Sequence, residues 1–351
     1  MNRRMRILTI VGARPQFIKA AEVGRALAAA GLEEILVHTG QHFDAAMSDV
    51  FFADLCMPPP AHNLYIHGGG NASMTGRMLQ ALEPLLDREK PDWVLVYGDT
   101  NSTLAGALAA AHRGIPVAHV EAGLRSFNRA MPEELNRVMT DHLSTLLLCP
   151  TPAAVANLQR EGIAAGVYHV GDVMYASALS LAGRARRTST VLDRLGVHDS
   201  GFSLATVHRA ENTNDSGRLA SILAYLRDAA AEEKVPIILP LHPRTRDAAA
   251  RFGLDLGGLT VLAPVGALDM ARLLAGCTRV FTDSGGVQKE AYFHGKPCIT
   301  LRDETEWVET IENGWNRLWR GPGYRPRRPI ADYGDGQAAS RIAALLAGGA
   351  G

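Results

Sequence analysis

Short apolar runs rich in β-branched residues alternate with helix-compatible stretches along this chain, and that alternation leaves few folds open. Arg6 to Gly12, Leu36 to Thr39, Trp93 to Tyr97 and Pro116 to Val120 read as strands. Between them, Gln16 to Ala30, Met74 to Glu89 and Leu104 to His112 carry apolar or small residues at helical spacing. Such alternation means a mostly parallel sheet with helices on both faces. The pattern resumes with strands at Ser203 to Val207, Pro236 to Leu241, Leu259 to Leu262, Val280 to Phe281 and Pro297 to Leu301. A length of 351 residues is long for one core. The expectation is therefore α/β, with two doubly wound, Rossmann-like halves covering residues 1–172 and 173–330. Gly321 to Arg328 reads as an irregular connection. A last helix, within 333–351, is expected to pack back on the first half.

Composition narrows the function classes. Lys+Arg and Asp+Glu are both 36, which argues against a general nucleic-acid binder or a membrane-surface protein. No apolar run approaches the ~20 residues of a membrane span. The stretch Ile7 to Val11 is too short for a signal-peptide core. Cys56, Cys149, Cys277 and Cys298 are widely spaced and form no CxxC pair, so a disulfide framework or zinc site is not expected. A reducing cytoplasm is the simpler setting. No dinucleotide-binding GxGxxG follows the first strand, and no GxxxxGK[ST] phosphate loop is present. Gly68 to Gly70 reads as a loop.

Ligands of doubly wound sheets bind beyond the carboxyl ends of the strands. Those ends here carry Arg14, Asp99, Glu121, His208, His242 and Ser284, which points to an active site between the two halves. Thr282 to Glu290 follows a strand and opens a helix with Gly285 and Gly286. Backbone N–H groups at a helix start favour an anion, and glycines let a phosphate approach. A plain helix cap by Asp283 or Ser284 is the competing explanation. Asp99 also reads as a helix cap, and Glu133 as ordinary first-turn dipole chemistry. Glu121 directly ends an apolar strand and needs a partner, with Arg125 the nearest in sequence. Arg14 and Lys19 together would neutralise a phosphate, although Lys19 alone also reads as a solvated charge. His208-Arg209, and His242 with Arg244, are possible anion contacts.

At this point the motifs resemble those of the non-hydrolysing UDP-N-acetylglucosamine 2-epimerases. The resembling segments include Val11-Gly12-Ala13-Arg14-Pro15 with Lys19, Gly98-Asp99-Thr100, and His119-Val120-Glu121-Ala122-Gly123-Leu124-Arg125. Further along they include Pro132-Glu133-Glu134 with Asn136-Arg137, His208-Arg209, Thr282 to Glu290, Arg302-Asp303 with Thr305-Glu306, and Tyr333-Gly334-Asp335-Gly336. They span nearly the whole chain in family order. The resemblance implies a fold of the GT-B type with a UDP-sugar in its cleft, no metal or cofactor, and a cytoplasmic homodimer feeding surface-polysaccharide synthesis.

By the same resemblance, Asp99, Glu121 and Glu133 are the catalytic carboxylates and His208 the active-site histidine. Arg14, Lys19, Arg209, His242, Val265 and Met270 are UDP or substrate contacts. Ser284, Gly285 and Gly286 cradle the diphosphate, and Glu290 binds the ribose. The implied chemistry interconverts UDP-GlcNAc and UDP-ManNAc by eliminating UDP to a 2-acetamidoglucal and adding it back. An alternative substrate is UDP-2,3-diacetamido-2,3-dideoxy-glucuronate. An alternative of another class is a GT-B glycosyltransferase. Departures from the family pattern are Ala13 and Gln16 where Thr and Glu are common, Trp307 where an Arg often follows Thr-Glu, and Phe43 in the loop Gln41 to Asp44, tied elsewhere to allosteric binding.

Overall fold

The computed structural model describes residues 3–41, 57–305 and 307–348. Arg14 is placed in a helix, but its side chain lies outside the described residues, as do His42 to Asp44, Cys56 and Glu306. The chain divides into two compact units, Met1–Ser177 with Ala331–Gly351, and Ala178–Ile330.

The first unit is built on strands β1 (Arg6–Val11), β2 (Glu33–His38), β3 (His62–Asn63), β4 (Trp93–Tyr97), β5 (Val117–Val120), β6 (Leu146–Cys149) and β7 (Val167–His169). They pair in parallel in the order β3-β2-β1-β4-β5-β6-β7. Ile7, Leu8, Ile10 and Val11 of β1 are fully buried, because helices cover both faces. Residues Asn71–Glu89 and Asn101–His112 form helices that begin three residues before the apolar periodicity does. The extra turns are mostly polar, and the one at Asn101 is capped: Thr100 accepts from the Thr103 N–H, while Gly70 gives the other no side-chain cap. The final helix, Ala338–Gly348, buries Ile342 and Leu346 in one cluster with Ile7, Val11, Phe17 and Leu27.

The second unit uses β8 (Ser203–Thr206), β9 (Ile237–Pro240), β10 (Thr260–Leu262), β11 (Val280–Thr282), β12 (Cys298–Thr300) and β13 (Asn316–Leu318). Their order is β10-β9-β8-β11-β12-β13, again all parallel. One face is filled by Leu219, Ile222, Leu239 and Phe281, the other by Phe202, Leu204, Ile238 and Leu273.

Two doubly wound α/β units are the fold class that the alternation implies. Each sheet reverses its order beside its first strand, at β1/β4 and at β8/β11. Chain connections leave those neighbours in opposite directions, so a crevice opens beyond their carboxyl ends. Among the described residues, no helix is long and apolar enough to cross a membrane. Cys149, Cys277 and Cys298 are buried free thiols.

Candidate active site

In the first unit the turns after β1, β4 and β5 and the start of helix Pro132–Leu143 surround one cavity of about 220 Å³. Lys19, Asp99, Glu121 and Glu133 line it, with Gln16, Gln41, Asn101 and Asn136. All three expected carboxylates of this unit therefore meet around one space.

Each carboxylate has a different setting. Glu121 forms an ion pair with Lys19, and the two side chains are nearly buried. Lys19, expected at a phosphate, is thus engaged by a carboxylate, which desolvation requires. Arg125, the expected partner of Glu121, lies elsewhere. Its guanidinium bonds the Asp141 carboxylate at 2.6 Å and grips Glu161 at 2.7 and 2.6 Å. Arg125 is four positions on from Glu121, but the turn sends its side chain to the helix behind. Asp99 is paired with Arg137 and does not cap the helix, a role that Thr100 fills. Asn136 donates to the Asp99 carbonyl at 3.0 Å. Glu133 is exposed and makes no ion pair among the described residues. Its neighbour Glu134 is buried and accepts from Ser126 N–H at 2.9 Å and Phe127 N–H at 2.8 Å, a structural duty.

The backbone at these turns is unusual. Glu121 has φ 69°, a conformation that a residue with a Cβ adopts at a cost and that clusters at functional sites. Gly98, at φ 63°, is where the chain turns into Asp99. At Gly123 (φ 78°) a Cβ would come within 2.4 Å of the Ala154 carbonyl oxygen. Gln16 joins the β1 and β4 turns. Its carbonyl oxygen accepts from Gly12 and Ala13 at 2.7 and 3.0 Å, and its amide donates to the Tyr97 carbonyl at 2.7 Å. A glutamate there could accept but not donate.

In the second unit, the turns after β8 and β11 meet at Asp283. This carboxylate is fully buried and accepts from His208 N–H at 2.9 Å, Arg209 N–H at 2.9 Å and the Asn212 amide at 2.9 Å. The His208 ring Nδ1 is 3.2 Å from it. Burial pushes the Asp283 carboxyl up, but the His208 ring and these donors outweigh it and hold it below the usual range. His208 and His242 lie with ring centroids 5.4 Å apart. His242 caps its helix by accepting from Arg244 N–H at 3.2 Å, so its Nδ1 is unprotonated in that bond. Burial, then the neighbouring His208 and Arg244, lowers its pKa.

Ser284 is the N-cap of helix Gly285–Phe293, while Asp283 serves the β8 turn. A Cβ at Gly286 would meet only the Ser284 hydroxyl, at 3.9 Å, so the helix start is open to an approaching group. The first N–H groups of a helix have no partner on an earlier turn. Glu290 follows on the next turn, where burial pushes its carboxyl up to about 7 despite Lys289. Val265 and Met270 are partly buried against the apolar cluster around Leu273. Both keep part of their surface open, and Arg209 contributes its backbone N–H to Asp283. Trp307 stacks under the Lys289 ammonium, 4.4 Å from its ring centroid.

Sequence reasoning missed Gln16 as a two-turn bridge and Asp141 and Asp283 as hubs. Gln16 could have been found, since it sits in the first turn of a helix, four residues after Gly12. Asp141 and His119 are 22 residues apart and carry no local signal.

A family model described as UDP-N-acetylglucosamine 2-epimerase matches residues 25–347. The UDP-2,3-diacetamido-2,3-dideoxy-D-glucuronate 2-epimerase of Pseudomonas aeruginosa is 53% identical, covering 98% of this chain and 99% of that protein. The UDP-N-acetylglucosamine 2-epimerase of Methanocaldococcus jannaschii is 42% identical over 90% of this chain and 88% of its own length. The crystal structure of the M. jannaschii UDP-GlcNAc 2-epimerase in complex with UDP-GlcNAc and UDP superposes with a TM-score of 0.79 at 38% identity, covering 99% of this chain and 100% of that one.

Proposed function

The chain belongs to the UDP-N-acetylglucosamine 2-epimerase family, and from that premise we propose that it inverts C2 of a UDP-sugar by eliminating UDP and adding it back. The observation that supports this most is the gathering of Asp99, Glu121 and Glu133 around one cavity. The C2–H of the sugar is not beside a carbonyl carbon, so simple deprotonation is very hard. Elimination solves this. One carboxylate takes the C2 proton, the C2–H electron pair forms the C1–C2 double bond, and the C1–O pair leaves with UDP. Positive charge builds on the ring as that bond breaks, as in glycoside cleavage, and carboxylates stabilise it. A proton delivered to the other face of C2, with UDP returning to C1, completes the inversion.

Ser284, Gly285 and Gly286, with His208, Arg209, His242 and Arg14, are assigned to the diphosphate, where negative charge develops. Glu290 is assigned to the ribose, and Val265 and Met270 to the nucleotide's apolar side. Lys19 is assigned first to Glu121, whose charge it balances.

We favour UDP-2,3-diacetamido-2,3-dideoxy-D-glucuronate as substrate, because the P. aeruginosa relative shares more sequence with this chain than the M. jannaschii one does. Interconversion of UDP-GlcNAc and UDP-ManNAc is the second reading, supported by the family description. A cytoplasmic homodimer, acting in polysaccharide synthesis, is proposed with either. The test is turnover in D₂O with each UDP-sugar, followed by NMR. Deuterium at C2 together with the epimer is expected from one of them. Absence of both from both substrates would sink the proposal, and a product that forms only with an added acceptor would favour a glycosyltransferase. Sedimentation velocity reads the dimer.

A further inference from the structure

Behind the cavity lies a buried polar cluster that no step above uses. His119, on β5, is fully buried. Its Nδ1 is 2.7 Å from an Asp141 carboxylate oxygen, and its Nε2 is 2.7 Å from the Gly98 carbonyl oxygen. Both ring nitrogens thus face acceptors. The other Asp141 oxygen accepts from Gly123 N–H at 3.1 Å and from Arg125 at 2.6 Å. Gly98 directly precedes Asp99. Gly123 closes the turn that begins with Glu121 at φ 69°. One imidazole and one carboxylate therefore tie down both turns that present carboxylates to the cavity, and neither lines it.

We propose that the His119–Asp141 pair is a positioning device that holds Asp99 and Glu121 at fixed separation, with His119 gripping the first turn and Asp141 the second. The role of those carboxylates rests on the function proposed above. The strained backbone at Glu121 supports the assignment. Such a conformation persists only where surrounding bonds over-determine it, and the Asp141 bond to Gly123 is one of those bonds. Arg125 adds a second cationic contact to Asp141 beside His119. Burial raises the Asp141 carboxyl, but His119 and Arg125 together outweigh it and hold it low.

Two variants test this, Asp141→Asn and His119→Gln. The first puts an N–H₂ where an acceptor is needed, and the second removes a rigid ring that spans two acceptors. Amide hydrogen exchange by NMR is expected to quicken about tenfold or more at Gly98 and Gly123, with the amides of β1 unchanged. Deuterium wash-in at C2 is expected to fall about 30-fold at saturating substrate, with KM within about threefold and the UDP Kd within about twofold. Unchanged exchange at both glycines overturns the proposal. So does loosening that spreads to β1, or failure of both variants to fold, since either marks a general stabiliser. Should the wild-type protein show no C2 exchange, the proposed reaction fails, while the amide measurement still reads the positioning device.

Discussion

The ammonium of Lys19 is ion-paired with the carboxylate of Glu121, and the two side chains are only 9% and 13% exposed. Removing one partner of so enclosed a pair leaves an uncompensated charge. Lys19→Met is expected to lower stability by about 3 kcal/mol. The double variant Lys19→Met/Glu121→Gln should regain most of that loss while remaining inactive. Urea denaturation of wild type, the two single variants Lys19→Met and Glu121→Gln, and the double variant measures the coupling, and simple additivity would contradict the pairing.

Asp99→Asn, Glu121→Gln and Glu133→Gln should each fold and bind UDP. Proton transfer by a positioned group contributes roughly 10²–10⁴-fold, so kcat is expected to drop by about that factor in each. Calorimetric UDP titration beside single-turnover assays separates binding from chemistry. Full activity in all three would remove the assignment. Glu133 is the sharpest of the tests, because it is exposed and its loss costs the fold little.

Glu290 carries a pH prediction. Its carboxyl titrates at about 7 in the folded protein, against an ordinary value of 4.5. Between those values the folded state holds a proton that the unfolded state has lost, so this residue's contribution to stability falls as pH rises through the window. With Glu290 at the ribose, as proposed, the hydroxyls would donate to the ionised form, so UDP binding is expected to run the opposite way. Its affinity should be about tenfold weaker at pH 6 than at pH 8 from this group alone. Titrating wild type and Glu290→Gln over that range isolates the effect, since the ionisation of UDP itself is common to both proteins. Parallel pH profiles would remove Glu290 from the ribose.

Gln16 offers a test of the scaffold. Glutamate is common at this position in the family, yet here the amide donates to the Tyr97 carbonyl. Gln16→Glu turns that bond into two facing acceptors in a buried place. A loss of about 1–3 kcal/mol is expected at pH 8, when the carboxyl is ionised, and less at pH 5. Thermal unfolding at the two pH values checks it.

The strands were legible in the sequence because a parallel sheet buries both faces, which writes continuous apolar runs such as Ile7 to Val11. Helix starts were less legible, since the polar first turns at Asn71 and Asn101 have no apolar period. Individual reactive side chains at strand ends stood out, because a carboxylate after an apolar strand demands explanation. Their partners did not. Glu121 takes Lys19, 102 residues away in sequence, instead of nearby Arg125, because the left-handed turn at Glu121 decides which cation is in reach. Asp283 looked like a helix cap, and only the pairing of β8 with β11 reveals it as the anchor of His208.

The closing helix Ala338–Gly348 gives the chain a particular order of completion during synthesis. Residues 178–330 form a unit from one continuous segment. The unit that begins first must wait for Ile342 and Leu346 to fill its core beside Phe17 and Leu27. Domains generally fold as units while the ribosome is still adding residues, so the half begun second has all its parts first. A stop codon between Ile330 and Ala338 would accordingly leave the second half whole and injure the first, the half that carries Asp99, Glu121 and Glu133.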